Sequence, residues 1–100
     1  MTKQEQTTYI TIDVAARQTS VSPRIVRHCI QIGLVDETMT ESDLAELRRV
    51  RRLTSLGVNL AGVEIILRMR RRIEELQAEL ARLGSEQSER LLRAHRRQKR

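Results

Sequence analysis

One hundred residues, 39% of them apolar, make a single domain near the lower limit of what folds alone. The large apolar side chains are nearly all Leu, Ile and Val, with Tyr9 the sole aromatic, so part of the stability is expected from a partner copy. A single cysteine excludes a disulfide scaffold and a thiolate zinc cluster, and neither an apolar run near the roughly 20 residues of a membrane span nor a Gly-rich phosphate loop is present.

The expectation is a non-enzymatic protein with no cofactor, no metal and no membrane. His28 and His95 lie far apart, and no Ser/His/Asp or Cys/His arrangement is visible. Nothing resembles a signal peptide, which makes the cytoplasm the expected compartment.

Residues 1–8 are polar and expected to be disordered. A short helix begins after Thr11 as cap, with Ile12, Ala15 and Ala16 inward, and breaks at Thr19-Ser20. The next helix has the clearest start in the chain. Ser22 is a good N-cap, and Pro23 suits the first helical position because its missing N–H costs nothing there. Val21 and Val26 flank the cap as a hydrophobic staple, and Gly33 ends the helix after Ile32. Two short helices across a tight turn are helix-turn-helix architecture.

Leu34-Val35 is a short apolar extended piece and Asp36–Met39 a loop. A third helix starts at the Thr40 cap, with Asp43 at capping-box spacing, carries Leu44, Leu47, Val50 and Leu53 on one stripe, and closes at Gly57. A fourth is capped at Asn59 and stapled by Val58 and Val63, with Gly62 placed for close helix packing. From Ile66 the apolar positions Ile66, Met69, Ile73, Leu76, Leu80 and Leu83 alternate steps of three and four. That is a heptad seam, to be buried against a second copy or against the chain's own head. Gly84 marks its expected end, and 85–100 is a basic tail and frayed extension. The organisation is therefore a tail over 1–8, a head over 9–57, a pairing helix over 58–84 and a basic tail over 85–100.

Charge is blocked rather than mixed. Residues 36–47 carry five acids (Asp36, Glu37, Glu41, Asp43 and Glu46) and no base, whereas 48–72 carry eight arginines against Glu64 alone. Such blocks mean a polyanion partner, an acidic protein partner or a solvated helix face. In a helix-turn-helix the second helix enters the DNA major groove. With Ile25, Val26, Cys29 and Ile30 inward, Arg24, Arg27, His28 and Gln31 face outward, where Arg can grip guanine or phosphate and Gln can read adenine. Ser22 and the amides beside it could hold a phosphate. Arg48, Arg49 and Arg52 could track phosphates beside the groove, or equally pair with the acidic block. Arg72 and Glu79 flank the seam and could face each other in an antiparallel pair. Cys29 reads as a buried small hydrophobe.

The segments Ile12-Asp13-Val14-Ala15-Ala16, Val21-Ser22-Pro23-Arg24-Ile25-Val26-Arg27 and Ile32-Gly33-Leu34-Val35 resemble the DNA-binding head of MerR-family regulators. Leu56-Gly57-Val58-Asn59-Leu60-Ala61-Gly62-Val63 is similar to the entry into the dimer helix of the HspR-like branch and of CbpM-like chaperone modulators. The resemblance covers about residues 9–83. It implies an all-α fold: a MerR-like head followed by a long helix forming an antiparallel coiled-coil homodimer that reads an inverted repeat in duplex DNA. MerR heads carry a basic β-hairpin wing; only Asp36–Met39 is available here, so the head is expected to be wingless. No effector domain or metal-binding cysteine follows the seam, so no small-molecule effector is expected. The alternative implied by the CbpM-like branch is a modulator that binds the J-domain of a DnaJ-like co-chaperone through the acidic 36–47 surface.

Overall fold

The computed structural model describes residues 10–98 and is built from four helices: α1 (Ile12–Thr19), α2 (Pro23–Gln31), α3 (Glu41–Ser55) and α4 (Leu60–Gln98). The expected disorder of residues 1–8 lies outside the described residues. No strand occurs among the described residues; Ile10 and Met39 form only an isolated antiparallel bridge. The loop before α3 is therefore wingless, as its length requires.

Each helix starts where a side chain satisfies its orphan amides. Thr11 Oγ1 accepts from Val14 N at 3.2 Å, Ser22 Oγ from Ile25 N at 3.2 Å and Asn59 Oδ1 from Gly62 N at 2.8 Å. At α3 the box is reciprocal: Asp43 N donates to Thr40 Oγ1 at 3.4 Å, and Thr40 N donates to Asp43 Oδ2 at 3.0 Å. Asp43 also accepts from Asp36 N at 3.3 Å, so one carboxylate both caps α3 and closes the loop that precedes it.

The helices stop by a shared device. Gly33, at φ +78°, donates to Ile30 O while Leu34 N donates to Cys29 O, a Schellman ending. Gly57, at φ +93°, repeats it with Thr54 O, and Val58 N reaches Leu53 O. After α1 the left-handed residue is Ser20 at φ 58°, with Val21 N on Ala16 O.

The core gathers Ala15, Val26, Cys29, Leu34, Leu44, Leu47, Val50, Val63 and Leu67, all at most 2% exposed. α1 packs on both α2 and α3. Leu34, Val35 and Met39 of the connecting segment are also buried, so the piece between α2 and α3 contributes to the core on both sides of an exposed Asp36–Thr38 turn. Val63 and Leu67, one turn apart, anchor the start of α4 in this cluster. Residues up to Leu67 form one compact unit and those from Arg68 another.

The fourth helix runs through Gly84, where the seam is expected to end, and the extension beyond it continues as α-helix to Gln98. A glycine inside an exposed helix costs about 1 kcal/mol, and the strong helix formers on both sides of Gly84 outweigh it. Gly62 is small for a nearer reason than helix packing: a Cβ there would lie 2.9 Å from Val58 Cγ1 and 3.3 Å from Asn59 Oδ1. The staple and the cap of α4 occupy that space.

Candidate nucleic-acid interface

The α1–α2 pair presents one edge of the head. Val21 and Val26 are buried on either side of the Ser22 cap, which fixes the direction in which α2 leaves the turn. On α2, Val26 and Cys29 are buried and Ile25 and Ile30 partly so. That leaves Arg24, Arg27 and Gln31 exposed on a single stripe at i, i+3 and i+7. His28 is half-buried beside them rather than fully outward. α2 contains no acidic residue. Ser22 is exposed; its oxygen already accepts from Ile25 N, and its O–H remains a donor.

Arg17 belongs to this edge and was not singled out from the sequence. It is exposed in the last turn of α1 and lines a shallow open groove with Asp13, Ala16, Val21 and Pro23. Its helical phase, opposite the buried Ala15 and Thr19, is the signal that identifies it.

The α3 arginines divide into two kinds. Arg48, Arg51 and Arg52 are exposed on the outward face. Arg49 is only half-exposed, and its Nη1 lies 3.1 Å from Oε1 of Glu46, a residue just 6% exposed. Glu46 stands between Val50 and Leu53 on the helix wheel, within the apolar face. The sequence grouped Arg48, Arg49 and Arg52 as one basic patch; the structure places Arg48 and Arg52 together on the surface and sets Arg49 against a buried carboxylate.

The acidic block is correspondingly thinner than it reads. Asp43 serves the capping box and the loop, and Glu46 is buried. Asp36, Glu37 and Glu41 remain exposed. Cys29 sits 1% exposed on the inner face of α2, where burial, and secondarily the charge of Glu46, push its thiol up to about 11. Among the described residues no group of three or more His, Cys, Asp or Glu could hold a metal ion, and no helix is long and apolar enough to cross a membrane.

On α4 all six seam residues are exposed in the single chain, from Ile66 at 40% to Leu80 at 68%. Arg70–Glu74, Arg72–Glu75, Arg82–Glu86 and Glu89–Arg93 ion pairs decorate the remaining surface. Each is solvated and worth little to stability.

Comparison with known proteins agrees with this architecture. The family model described as MerR HTH family regulatory protein matches residues 10–70, which is α1 through the first turns of α4. A Streptomyces coelicolor protein described as the heat shock protein HspR is 32% identical over 90 residues, covering 81% of this chain. This chain spans about 60% of that relative's length. No solved structure matches. With a matched helix-turn-helix, an all-α head and a long helix behind it, the chain belongs to the MerR family of helix-turn-helix regulatory proteins.

Proposed function

We propose that the chain is a transcriptional regulator that binds duplex DNA as a homodimer, with α2 as the reading helix and α4 as the pairing helix. The observation that carries the reading is the acid-free outward stripe of α2, Arg24, Arg27 and Gln31, held by a capped and stapled start. Arg24 and Arg27 suit bidentate contact with guanine edges or phosphates, and Gln31 suits adenine. His28 lies at the margin of that stripe. The Ser22 hydroxyl and the α2 N-terminus offer a phosphate contact. Arg48 and Arg52 add backbone contacts from α3, with Arg49 holding Glu46 instead.

Pairing follows from the seam. Ile66, Met69, Ile73, Leu76, Leu80 and Leu83 are each about half-exposed, so burying the rest contributes roughly 1 kcal/mol per side chain. Twelve such residues in a dimer give on the order of 10 kcal/mol, comparable with the cost of association. The seam therefore supports a dimer without a wide margin.

The test is selection of genomic DNA fragments on the purified protein at near-physiological salt, followed by binding to the enriched site. The expected result is an inverted repeat. Arg24→Ala and Arg27→Ala should each lose about 1–3 kcal/mol if the residue reads a base. Variants that bind like the parent would remove α2 from the role of reader. A flat DNA profile together with capture of an isolated J-domain by Glu37 and Glu41 would replace this reading by the co-chaperone one.

A further inference from the structure

Six of the nineteen Lys and Arg residues, and none of the thirteen acids, lie in residues 90–100. The bases and acids of residues 1–89 therefore cancel, and the whole formal charge of +6 sits in a stretch that the proposed function leaves without a role. Folding turns this composition into a surface. α4 is helical through the stretch to Gln98, and every residue from 90 to 98 is exposed. At about 100° per residue, Arg90, Arg93, Arg96 and Arg97 fall within about 120° of the helix circumference. Leu91 and Leu92 fall outside that arc.

Arg93 pairs with Glu89 at 3.4 Å, but both side chains are about two-thirds exposed, so the pair is worth little and exchanges readily for another anion. Arg90, Arg96 and Arg97 have no acidic partner among the described residues. From Arg90 to Arg97 the face is about 10 Å long, the axial length over which one strand of a duplex presents about three phosphates. All four cations are arginines, whose planar forks bind phosphate oxygens in pairs. Other anionic partners fit this face less well. A membrane-surface helix needs a broad apolar face with aromatic anchors, and residues 90–98 offer only Leu91 and Leu92 as large apolar side chains. Single-stranded nucleic acid is gripped by stacking on aromatic rings, and the sole aromatic of the chain is Tyr9. A protein interface centres on an apolar core, and no apolar side chain lies within the arginine arc.

We infer that the arginine face of α4 over residues 90–97 is a second DNA-binding surface, one that grips the phosphates of duplex DNA without reading sequence. That the polyanion is DNA rests on the function proposed above; the arginine face itself does not. Its contribution is affinity and salt dependence common to all duplexes, whereas α2 supplies the preference among them.

The test compares the full chain with a variant carrying Arg90→Gln, Arg93→Gln, Arg96→Gln and Arg97→Gln, and with one carrying Arg→Lys at the same four positions. Gln and Lys are good helix formers, and circular dichroism and sedimentation check that helix content and assembly match the parent's. Fluorescence anisotropy follows binding to the genome-selected site and to an unrelated duplex over a salt series. Each arginine that neutralises a phosphate contributes about 0.9 to the slope of log affinity against log salt. The fourfold Gln variant should lower the slope by about 3 per chain and weaken both duplexes by the same factor, about tenfold or more. The Lys variant should keep the parent's slope. Arg97→Gln alone, well past the seam, should lower the slope by about 0.9 per chain even where the fourfold change alters assembly. Slopes and affinities equal to the parent's on both duplexes would overturn the inference, and so would a loss confined to the selected site. Vesicles of phosphatidylserine and phosphatidylcholine that sediment the parent but not the Gln variant, with DNA slopes unchanged, would replace DNA by a lipid surface. Failure of the α2 reading is distinct: the parent then prefers neither duplex, while the slope on the unrelated one still reports the arginine face. A parent that binds neither duplex would overturn both.

Discussion

Arg48 and Arg49 are neighbours of identical chemistry in opposite surroundings, one exposed and the other set against a buried carboxylate. Arg49→Ala removes one partner of a carboxylate that is 6% exposed and lies 3.1 Å away. Breaking a fully buried pair costs about 3–5 kcal/mol, because the surviving charge stays desolvated. The Arg49 side chain retains 28% exposure and Glu46 keeps a further interaction, so the expected loss is smaller, about 1–2 kcal/mol. In a small domain this is a substantial fraction of the total stability. Arg48→Ala removes an exposed guanidinium and should change stability by less than about 0.5 kcal/mol. DNA affinity should respond the other way round. If Arg48 neutralises one phosphate in each head, its loss lowers the slope of log affinity against log salt by about 2 for a dimer. Arg49→Ala, measured well below its unfolding midpoint, should leave the slope unchanged. Urea unfolding gives the first quantity and a salt series of fluorescence anisotropy the second. If Arg49→Ala is as stable as the parent and shallower in salt dependence, Arg49 is a DNA contact and the division of α3 drawn here fails.

Leu76→Glu puts a charge into the centre of the seam, and sedimentation should then show monomer; an intact dimer would refute the register. Gly84→Ala, with nothing within 4 Å of the new Cβ, should gain up to about 1 kcal/mol in thermal unfolding from helix propensity. Gly62→Ala should forfeit that gain and lose more, since the β-branched Val58 lies 2.9 Å from the new atom; equal melting temperatures for the two variants would refute the crowding. Cys29 should resist a thiol reagent at pH 8 until the chain unfolds, because the native thiol titrates at about 11. A raised native pKa also means that Cys29's contribution is fully present below the unfolded value of 9.0 and is lost as pH rises towards about 11, so unfolding midpoints should fall over that window. A Cys29→Ala variant should lose less across it.

The parts of the fold legible in the sequence are those set by chemistry a few residues wide. Ser22-Pro23, Thr40 with Asp43, Asn59, and the glycines at 33 and 57 announce helix ends because an orphan amide or a left-handed residue needs those side chains locally. The apolar stripe of α3 was legible for the same reason of short period. What escaped depends on context. Leu67 stands in the chain beside the seam residue Ile66, and only three-dimensional packing separates a side chain facing the head from one facing outward. Leu34, Val35 and Met39 are too few and too irregular to announce a core segment, yet the core takes them. Glu46 misled through its charge. Its helical phase between Val50 and Leu53 places it on the buried face, and giving phase more weight than residue type would have found it.

Use of acidic side chains inside the structure alters the electrostatic character of the head. Asp43 caps α3 and closes the loop before it, and Glu46 is covered and paired. The exposed acids between residues 10 and 59 are then Asp13, Asp36, Glu37 and Glu41, against exposed Arg17, Arg24, Arg27, Arg48, Arg51 and Arg52. The surface is therefore more basic than the sequence blocks imply, and its cations lie on α1, α2 and α3. Between Gly33 and Thr40 only the short exposed stretch Asp36–Thr38 separates the buried Val35 and Met39, and no hairpin wing is formed there. On the proposed reading, grip on the DNA backbone must then come from the helices alone. The placement of the two heads by α4 consequently matters more than in a head that carries its own wing.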